Sequence, residues 1–147
     1  MVKSRCIVGI DPDCKKSGLA TYENGNLIWL DNFDLIQYID YCIKVQNEDI
    51  TFVIEDSNLI SSLYHRNKKG NPSVQHKISE SIGANKQRAT DLIEIAKHFG
   101  IKVITQKPRK GNWAKKKPMF EKVTKWKGRS NPETRSAAFF GYFYATK

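Results

Sequence analysis

The sequence contains no apolar run approaching the ~18–20 residues that a membrane-spanning helix requires. Its opening residues, Met1-Val2-Lys3-Ser4-Arg5, lead straight into a short strand-like run and lack the pattern of an export signal. The expectation is an intracellular, cytoplasmic protein. Cysteine is scarce: Cys6, Cys14 and Cys42 are odd in number and show no CxxC spacing, so reduced thiols are expected, with Cys6 buried in the first apolar run. The histidines His65, His76 and His98 are scattered, which argues against a zinc site. No internal repeat or low-complexity tract is present. Acidic residues are the minority, 15 against 25 Lys plus Arg, for a net charge of +10. That balance favours a polyanionic partner through phosphate contacts and counterion release. An anionic membrane surface is the main rival, but no segment joins strong basicity to an apolar helical face.

What is present suffices for one folded domain over residues 1–147: 39% of residues are hydrophobic. Arg5 to Ile10 reads as a buried strand ending in the turn Asp11-Pro12-Asp13. Ser17–Tyr22 and Asn26–Phe33 read as two more strands joined at Asn24-Gly25, a hairpin signal. Asp34 is placed to cap a helix reaching Lys44, with Leu35, Ile36, Ile39 and Ile43 as its apolar positions. Thr51–Ile54 is a fourth strand, and residues 57–76 read as an irregular loop with room for a short helix. Lys77–Phe99 is the longest helical pattern, through Ile78, Ile82, Ala89, Leu92, Ile93 and Ala96, stopped by Gly100. Ile101–Ile104 is a fifth strand, Lys117–Lys127 a helix, and Asn131-Pro132 an N-cap and first turn for the last helix. The order β-β-β-α-β-α-β-α-α predicts an α/β fold: a mixed five-stranded sheet, antiparallel through the first three strands and parallel thereafter, flanked by helices.

Three acids stand at places where chemistry is built. Asp11 follows the first strand, Glu55 closes the fourth, and Glu133 lies in the first turn of the last helix. Each has an ordinary structural reading: a turn former before proline, a strand end reaching solvent, and a residue favoured by the helix dipole. Together, two acids ending fully apolar strands in a basic protein point to a metal site. Carboxylates converging at such a rim repel one another unless a hard cation such as Mg²⁺ or Mn²⁺ binds between them. Two such ions support phosphodiester cleavage.

Over nearly its whole length the sequence resembles the RuvC family of Holliday-junction resolvases, of the RNase H-like superfamily, especially the small phage and viral versions. Ile7-Val8-Gly9-Ile10-Asp11-Pro12 with Ser17-Gly18 looks like the first motif, and Val53-Ile54-Glu55 like the second. Ser81-Ile82-Gly83-Ala84-Asn85 with Arg88 resembles the start of the long dimer-forming helix. Asn131-Pro132-Glu133-Thr134-Arg135-Ser136-Ala137-Ala138 resembles the last motif. The resemblance implies metal-dependent nicking of four-way DNA junctions by a homodimer. It also implies a four-residue site at Asp11, Glu55, Glu133 and Ser136. The last of these is usually an Asp, and positions 133 and 136 do share a helix face. Either Asp11, Glu55 and Glu133 hold the metal as three carboxylates, with Asp13 or Asp56 as further acids nearby, or the protein binds junctions without efficient cutting. Asp91 reads as a solvated or capping residue.

Candidate DNA contacts are Lys15, Lys16, Tyr64, Arg66, Lys68, Lys69, Lys86, Arg88, Lys110, Lys115 and Lys116, each with the alternative of a merely solvated charge. Tyr64, in the loop after Glu55, and Trp113, amid basic residues, can stack on bases or pack within the protein. Trp126 reads as core. Lys115 or Lys116 can approach the scissile phosphate. The helix Lys77–Phe99 carries small residues, Gly83 and Ala84. They permit close approach of a second copy, or packing on the chain's own sheet.

Overall fold

A computed structural model describes residues 5–59 and 72–146, without the side chains of residues 72–75, 78, 79 and 81. The elements follow the expected order: β1 (Cys6–Asp11), β2 (Ser17–Glu23), β3 (Asn26–Phe33), α1 (Leu35–Val45), β4 (Ile50–Glu55), a 3₁₀ turn (Ser57–Leu59), α2 (Pro72–His98), β5 (Lys102–Gln106), α3 (Lys117–Thr124) and α4 (Pro132–Ala145). The sheet order is β3-β2-β1-β4-β5. β1 pairs antiparallel with β2, and β2 with β3, while β1–β4 and β4–β5 are parallel. This is the mixed five-stranded sheet flanked by helices that the sequence predicts.

Local chemistry explains most boundaries. Asn24 and Gly25 both take positive φ, 51° and 85°, and close the β2–β3 hairpin. Asp34 caps α1 in a capping box, accepting from the Gln37 N–H at 2.8 Å while Gln37 Oε1 accepts from the Asp34 N–H at 2.9 Å. Gly100, at φ 73°, ends α2. Asn131 and Thr134 form a second capping box that opens α4, with Pro132 in its first turn.

Some expectations need correction. α2 begins at Pro72, five residues before Lys77, because proline in a first helical turn gives up no hydrogen bond. Residues 72–76 are therefore helix and not loop. α3 stops three residues early, at Thr124, where Lys125 adopts a left-handed conformation. α1 does not bury the face expected: Ile36 and Ile43 are exposed, and Tyr38, Cys42 and Val45 point inward. The reason is Tyr38, which packs on Phe52 and donates its hydroxyl to the Leu92 carbonyl at 2.7 Å. Cys6 is half-buried at the margin of the core, and Trp126 is half-buried with its indole N–H donating to the Arg129 carbonyl.

The strand period of two divides the core between the two faces of the sheet. Val8, Ile10, Leu19, Phe52 and Ile54 pack beneath α1 and α2. Ile7, Ala20, Tyr22 and Val53 pack beneath α3 and α4, with Trp113, Phe120, Phe139 and Phe140. No helix among the described residues is long and apolar enough to cross a membrane.

Candidate active site

The same parity delivers the acids. Along β1, Ile7, Gly9 and Asp11 face α4; along β4, Val53 and Glu55 do. Since Ile10 pairs with Ile54 in the parallel register, Asp11 and Glu55 are the next positions on adjacent strands. On the other side Asp11 pairs with Gly18 of β2. The two carboxylates line a cavity of about 200 Å³ at the open end of the sheet, with Pro12, Ser57 and the α2 residues Ile82, Asn85 and Ala89.

α4 brings the remaining residues over this rim. A Cβ on Gly18 would lie 2.3 Å from the Glu133 carbonyl oxygen, and one on Gly9 would lie 2.0 Å from that of Ala137. Glycine at both positions is thus what lets the first turns of α4 sit directly on the strands. Ser136 is buried on α4 three residues after Glu133, close enough to Asp11 to lower its pKa, and its Oγ accepts from Asn112 Nδ2 at 2.8 Å. Glu133 is close enough to repel Asp11 but does not line the cavity. Asp13 also repels Asp11, whereas Asp56 spends an oxygen on the Asn58 backbone and amide at 3.0 and 2.8 Å.

Both acids are held away from their ordinary titration range. Burial pushes Glu55 up from 4.5 to about 7. Asp11 is raised well above 3.8, first by burial, then by repulsion from Glu55, against the lowering effect of the Ser136 hydrogen bond. Among the described residues, no Lys or Arg forms an ion pair with either acid. Nor do three His, Cys, Asp or Glu side chains close into a cage for a metal among those residues. The arrangement is a pair of neighbouring carboxylates with a hydroxyl, open to a cavity and lacking positive charge. Such a pair suits Mg²⁺, which commonly uses one or two carboxylates and completes its shell with water and substrate phosphate.

Two solved structures share this architecture. Thermus thermophilus RuvC in complex with Holliday junction substrate superposes with a TM-score of 0.59 at 14% identity, covering 97% of this chain and 95% of that one. A second Thermus thermophilus RuvC structure gives 0.51 at 15% identity, covering 96% and 95%. The chain has a RuvC-like fold. No family model matches the sequence, and no curated protein matches it significantly.

The basic residues are less concentrated. Lys15 and Lys16 are exposed on the β1–β2 turn, which the Asn85 side chain ties to α2 by accepting from the Cys14 N–H at 3.0 Å. Lys110, Lys115 and Lys116 are exposed on the β5–α3 loop. Lys86 and Arg88 are half-buried on α2. Tyr64, Arg66, Lys68 and Lys69 lie outside the described residues. Trp113 is not a stacking platform: at 5% exposure it packs edge-on against Phe120 and Phe139, anchoring its basic loop to the core. Arg109, too, is engaged, over the Phe143 ring at 4.7 Å. Asp91, as expected of a surface residue, accepts from Gln87 at 2.9 Å.

Sequence reasoning missed three residues here. Asn85 lines the cavity, Asn112 donates to Ser136 Oγ at 2.8 Å, and Arg135 grips the Ala114 carbonyl. An Asn after Gly111 in a basic segment carries only a turn signal, so nothing in the sequence distinguished Asn112.

The raised acids predict a pH dependence with a definite sign. A carboxyl whose folded pKa is raised contributes stability that is complete below its unfolded value and is lost as pH rises through the folded value. For Glu55 that window runs from about 4.5 to about 7. Metal-free wild type and Glu55→Gln are therefore expected to melt alike at about pH 4, below the window, and the variant to melt higher by pH 8. The difference is on the order of 2 kcal/mol, or roughly 5–10 °C. Mg²⁺ at pH 8 should raise the wild-type melting point more than the variant's. Parallel melting curves across this range would contradict the burial of an unpaired Glu55.

Proposed function

We propose that the protein is a metal-dependent, structure-selective endodeoxyribonuclease that resolves four-way DNA junctions by paired symmetric nicks, within one domain of residues 1–147. The observation that carries the reading is the side-by-side placement of Asp11 and Glu55, unpaired with any cation among the described residues, at the rim of a RuvC-like sheet. The neighbour bound to a Holliday junction adds support for branched DNA as the substrate.

In this reading Asp11 and Glu55 hold Mg²⁺ or Mn²⁺, with Glu133 approaching from α4. The bound ions supply charge neutralisation and water activation at the scissile phosphate. Ser136 favours the ionised form of Asp11. Lys15 and Lys16 on one side, and Lys110, Lys115 and Lys116 on the other, hold the DNA backbone and orient it over the cavity. Paired nicks require two copies. We place their contact on α2, where Gly83 and Ala84 are exposed and nothing described lies within 4 Å of the Gly83 Cβ position. This openness among the described residues favours the approach of a second copy over packing of Gly83 on its own sheet. Sedimentation is expected to give a dimer mass. In this reading the protein is a phage- or virus-encoded enzyme acting in the cytoplasm of a host cell, or an enzyme of a bacterial cytoplasm.

The deciding experiment incubates the protein with an immobile four-way junction in Mg²⁺ or Mn²⁺, alongside flaps and RNA–DNA hybrids at matched salt. Symmetric nicking of the junction supports the reading, and preference for another substrate redirects it. One observation favours a second reading, junction binding without efficient cutting: the neutral Ser136 in a site whose acids do not close into a three-carboxylate cage. That reading predicts tight binding with no cleavage in either metal, and a gain of cleavage in Ser136→Asp.

A further inference from the structure

Charge is unevenly distributed along the chain. Residues 107–132 carry ten Lys and Arg against one acid, Glu121, a net of +9, while the whole chain carries +10. All ten of those cations are exposed. Trp113 and Phe120 seat the segment in the core on the α4 face of the sheet. Lys110, Lys115 and Lys116 belong to its first part, before α3. Lys125, Lys127 and Arg129 belong to its last part, the turn between α3 and α4.

That turn is held in shape by its own residues. Lys125 ends α3 at φ 61° and ψ 22°, a left-handed conformation that helix ends usually give to glycine. A lysine there carries a backbone cost that glycine avoids, and such outliers cluster at functional sites. The Trp126 indole N–H donates to the Arg129 carbonyl at 3.0 Å and closes the turn. Gly128 leaves room for the indole, since a Cβ there would lie 3.2 Å from ring atoms of Trp126. Among the described residues, none of Lys125, Lys127 and Arg129 forms an ion pair. Three ordered like charges without acid partners repel one another, and a polyanion relieves that repulsion.

The turn also has a fixed place relative to the acids. Asn131, two residues after Arg129, donates from Nδ2 to Asn32 Oδ1 at 2.6 Å. Asn32 pairs with Gly18, and Gly18 with Asp11, so the three positions stand in line across β3, β2 and β1. At ~4.8 Å per strand, Asn32 lies about 10 Å from Asp11. Along one strand of duplex DNA that span corresponds to roughly three phosphates.

We propose that the turn at residues 125–129 is a second phosphate-binding surface, which holds a duplex arm of a DNA junction outside the cavity. The inference rests on the reading of the Asp11 rim as a nuclease site. It adds the direction in which the arm leaves that rim, across β2 and β3. Contacts of this kind position a duplex and read no bases. A membrane surface suits the segment less well, because α3 has eight residues and exposes only Met119 and Val123 as large apolar side chains.

The test uses the full chain, without divalent metal, and measures four-way junction binding as a function of salt. Lys127→Gln/Arg129→Gln is compared with Lys44→Gln/Lys97→Gln, which removes the same charge from exposed positions at the ends of α1 and α2. The first pair should weaken binding more than about tenfold at ~0.1 M salt and reduce the salt slope by nearly two, and the control pair should do neither. Lys125→Gly should bind several-fold more weakly yet melt no lower than wild type, because glycine adopts the left-handed conformation freely. That combination separates lost DNA contact from lost stability. A second junction carries neutral methylphosphonates at the phosphates roughly two to four from the branch point. Wild type should bind it more weakly than the ordinary junction, whereas Lys127→Gln/Arg129→Gln should bind the two alike.

The proposal is overturned if the turn variants and the control pair behave alike, or if methylphosphonates weaken wild type and the turn variant equally. It is also overturned if the turn substitutions abolish binding to phosphatidylserine vesicles and leave junction binding intact, which would assign the surface to a membrane. Nicking in Mg²⁺ is scored separately. If wild type cuts no junction but the binding contrasts hold, the nuclease reading fails and the turn remains a DNA surface. If wild type cuts and the contrasts vanish, the reverse is true.

Discussion

Asp11→Asn is expected to abolish nicking of an immobile four-way junction in Mg²⁺ or Mn²⁺ while leaving junction binding at matched salt intact. Asn has nearly the shape of Asp, so the packing against Gly18, Glu55 and Ser136 survives. What disappears is the central charge of the site. Asp11 is the acid whose charge responds to every other candidate: Glu55 and Glu133 raise its pKa by repulsion, and Ser136 lowers it. Residues that merely support a metal ligand typically cost 10–100-fold when removed, so loss of the ligand itself should exceed roughly a hundredfold. Binding should persist because backbone affinity comes from Lys and Arg, and removing a negative charge does not weaken attraction to phosphate. Cleavage by the variant at a wild-type rate would remove Asp11, and with it the assigned site, from the reaction.

Gly9→Ala should be the most damaging single-methyl addition in the chain's core. The new Cβ would sit 2.0 Å from the Ala137 carbonyl oxygen and 2.8 Å from the Gly141 amide nitrogen. Both are helix backbone, which cannot rotate aside as a side chain can, so α4 has to lift from β1. Overpacking of this kind costs about 3 kcal/mol or more, or a fall of about 10 °C in melting temperature for a chain of this size. Activity should fall further than stability explains, because Glu133 and Ser136 ride on the displaced helix. Gly83→Ala is the internal comparison. Its Cβ meets nothing described within 4 Å, and mid-helix alanine is favoured over glycine by roughly 0.5–1 kcal/mol. Equal melting points for Gly9→Ala and wild type would show that α4 does not rest on β1 as closely as described.

The sequence carried the elements and their order because each is written locally. Asn24-Gly25, Asp34, Gly100 and Asn131-Pro132 are turn and cap residues whose preferences are intrinsic, and the structure uses each as expected. Asp11 and Glu55 were legible for a similar reason: an acid directly after an apolar strand marks the end of that strand. Errors arose where tertiary contacts decide. Which face of α1 is buried depends on a tyrosine reaching the Leu92 carbonyl 54 residues away. Trp113 lies in a segment that looks like a nucleic-acid arm, yet its ring is buried because α3 and α4 form an aromatic pocket around it.

The resemblance in four ordered motifs anticipated the RuvC-like fold, but motif positions alone gave Ser136 only the standing of a missing acid. Composition by itself determined a basic chain suited to polyanions, and local patterning determined a mixed sheet ending in two acids. The tertiary contacts settled that those acids share one face of adjacent strands, that two glycines let α4 close over them, and that Ser136 is bonded to Asn112. The physical reason is distance along the chain. Caps and turns are settled by neighbours within a few residues, whereas a hydrogen bond between positions 112 and 136, or a helix seated on position 9 from position 137, exists only after the sheet and its covering helix have met.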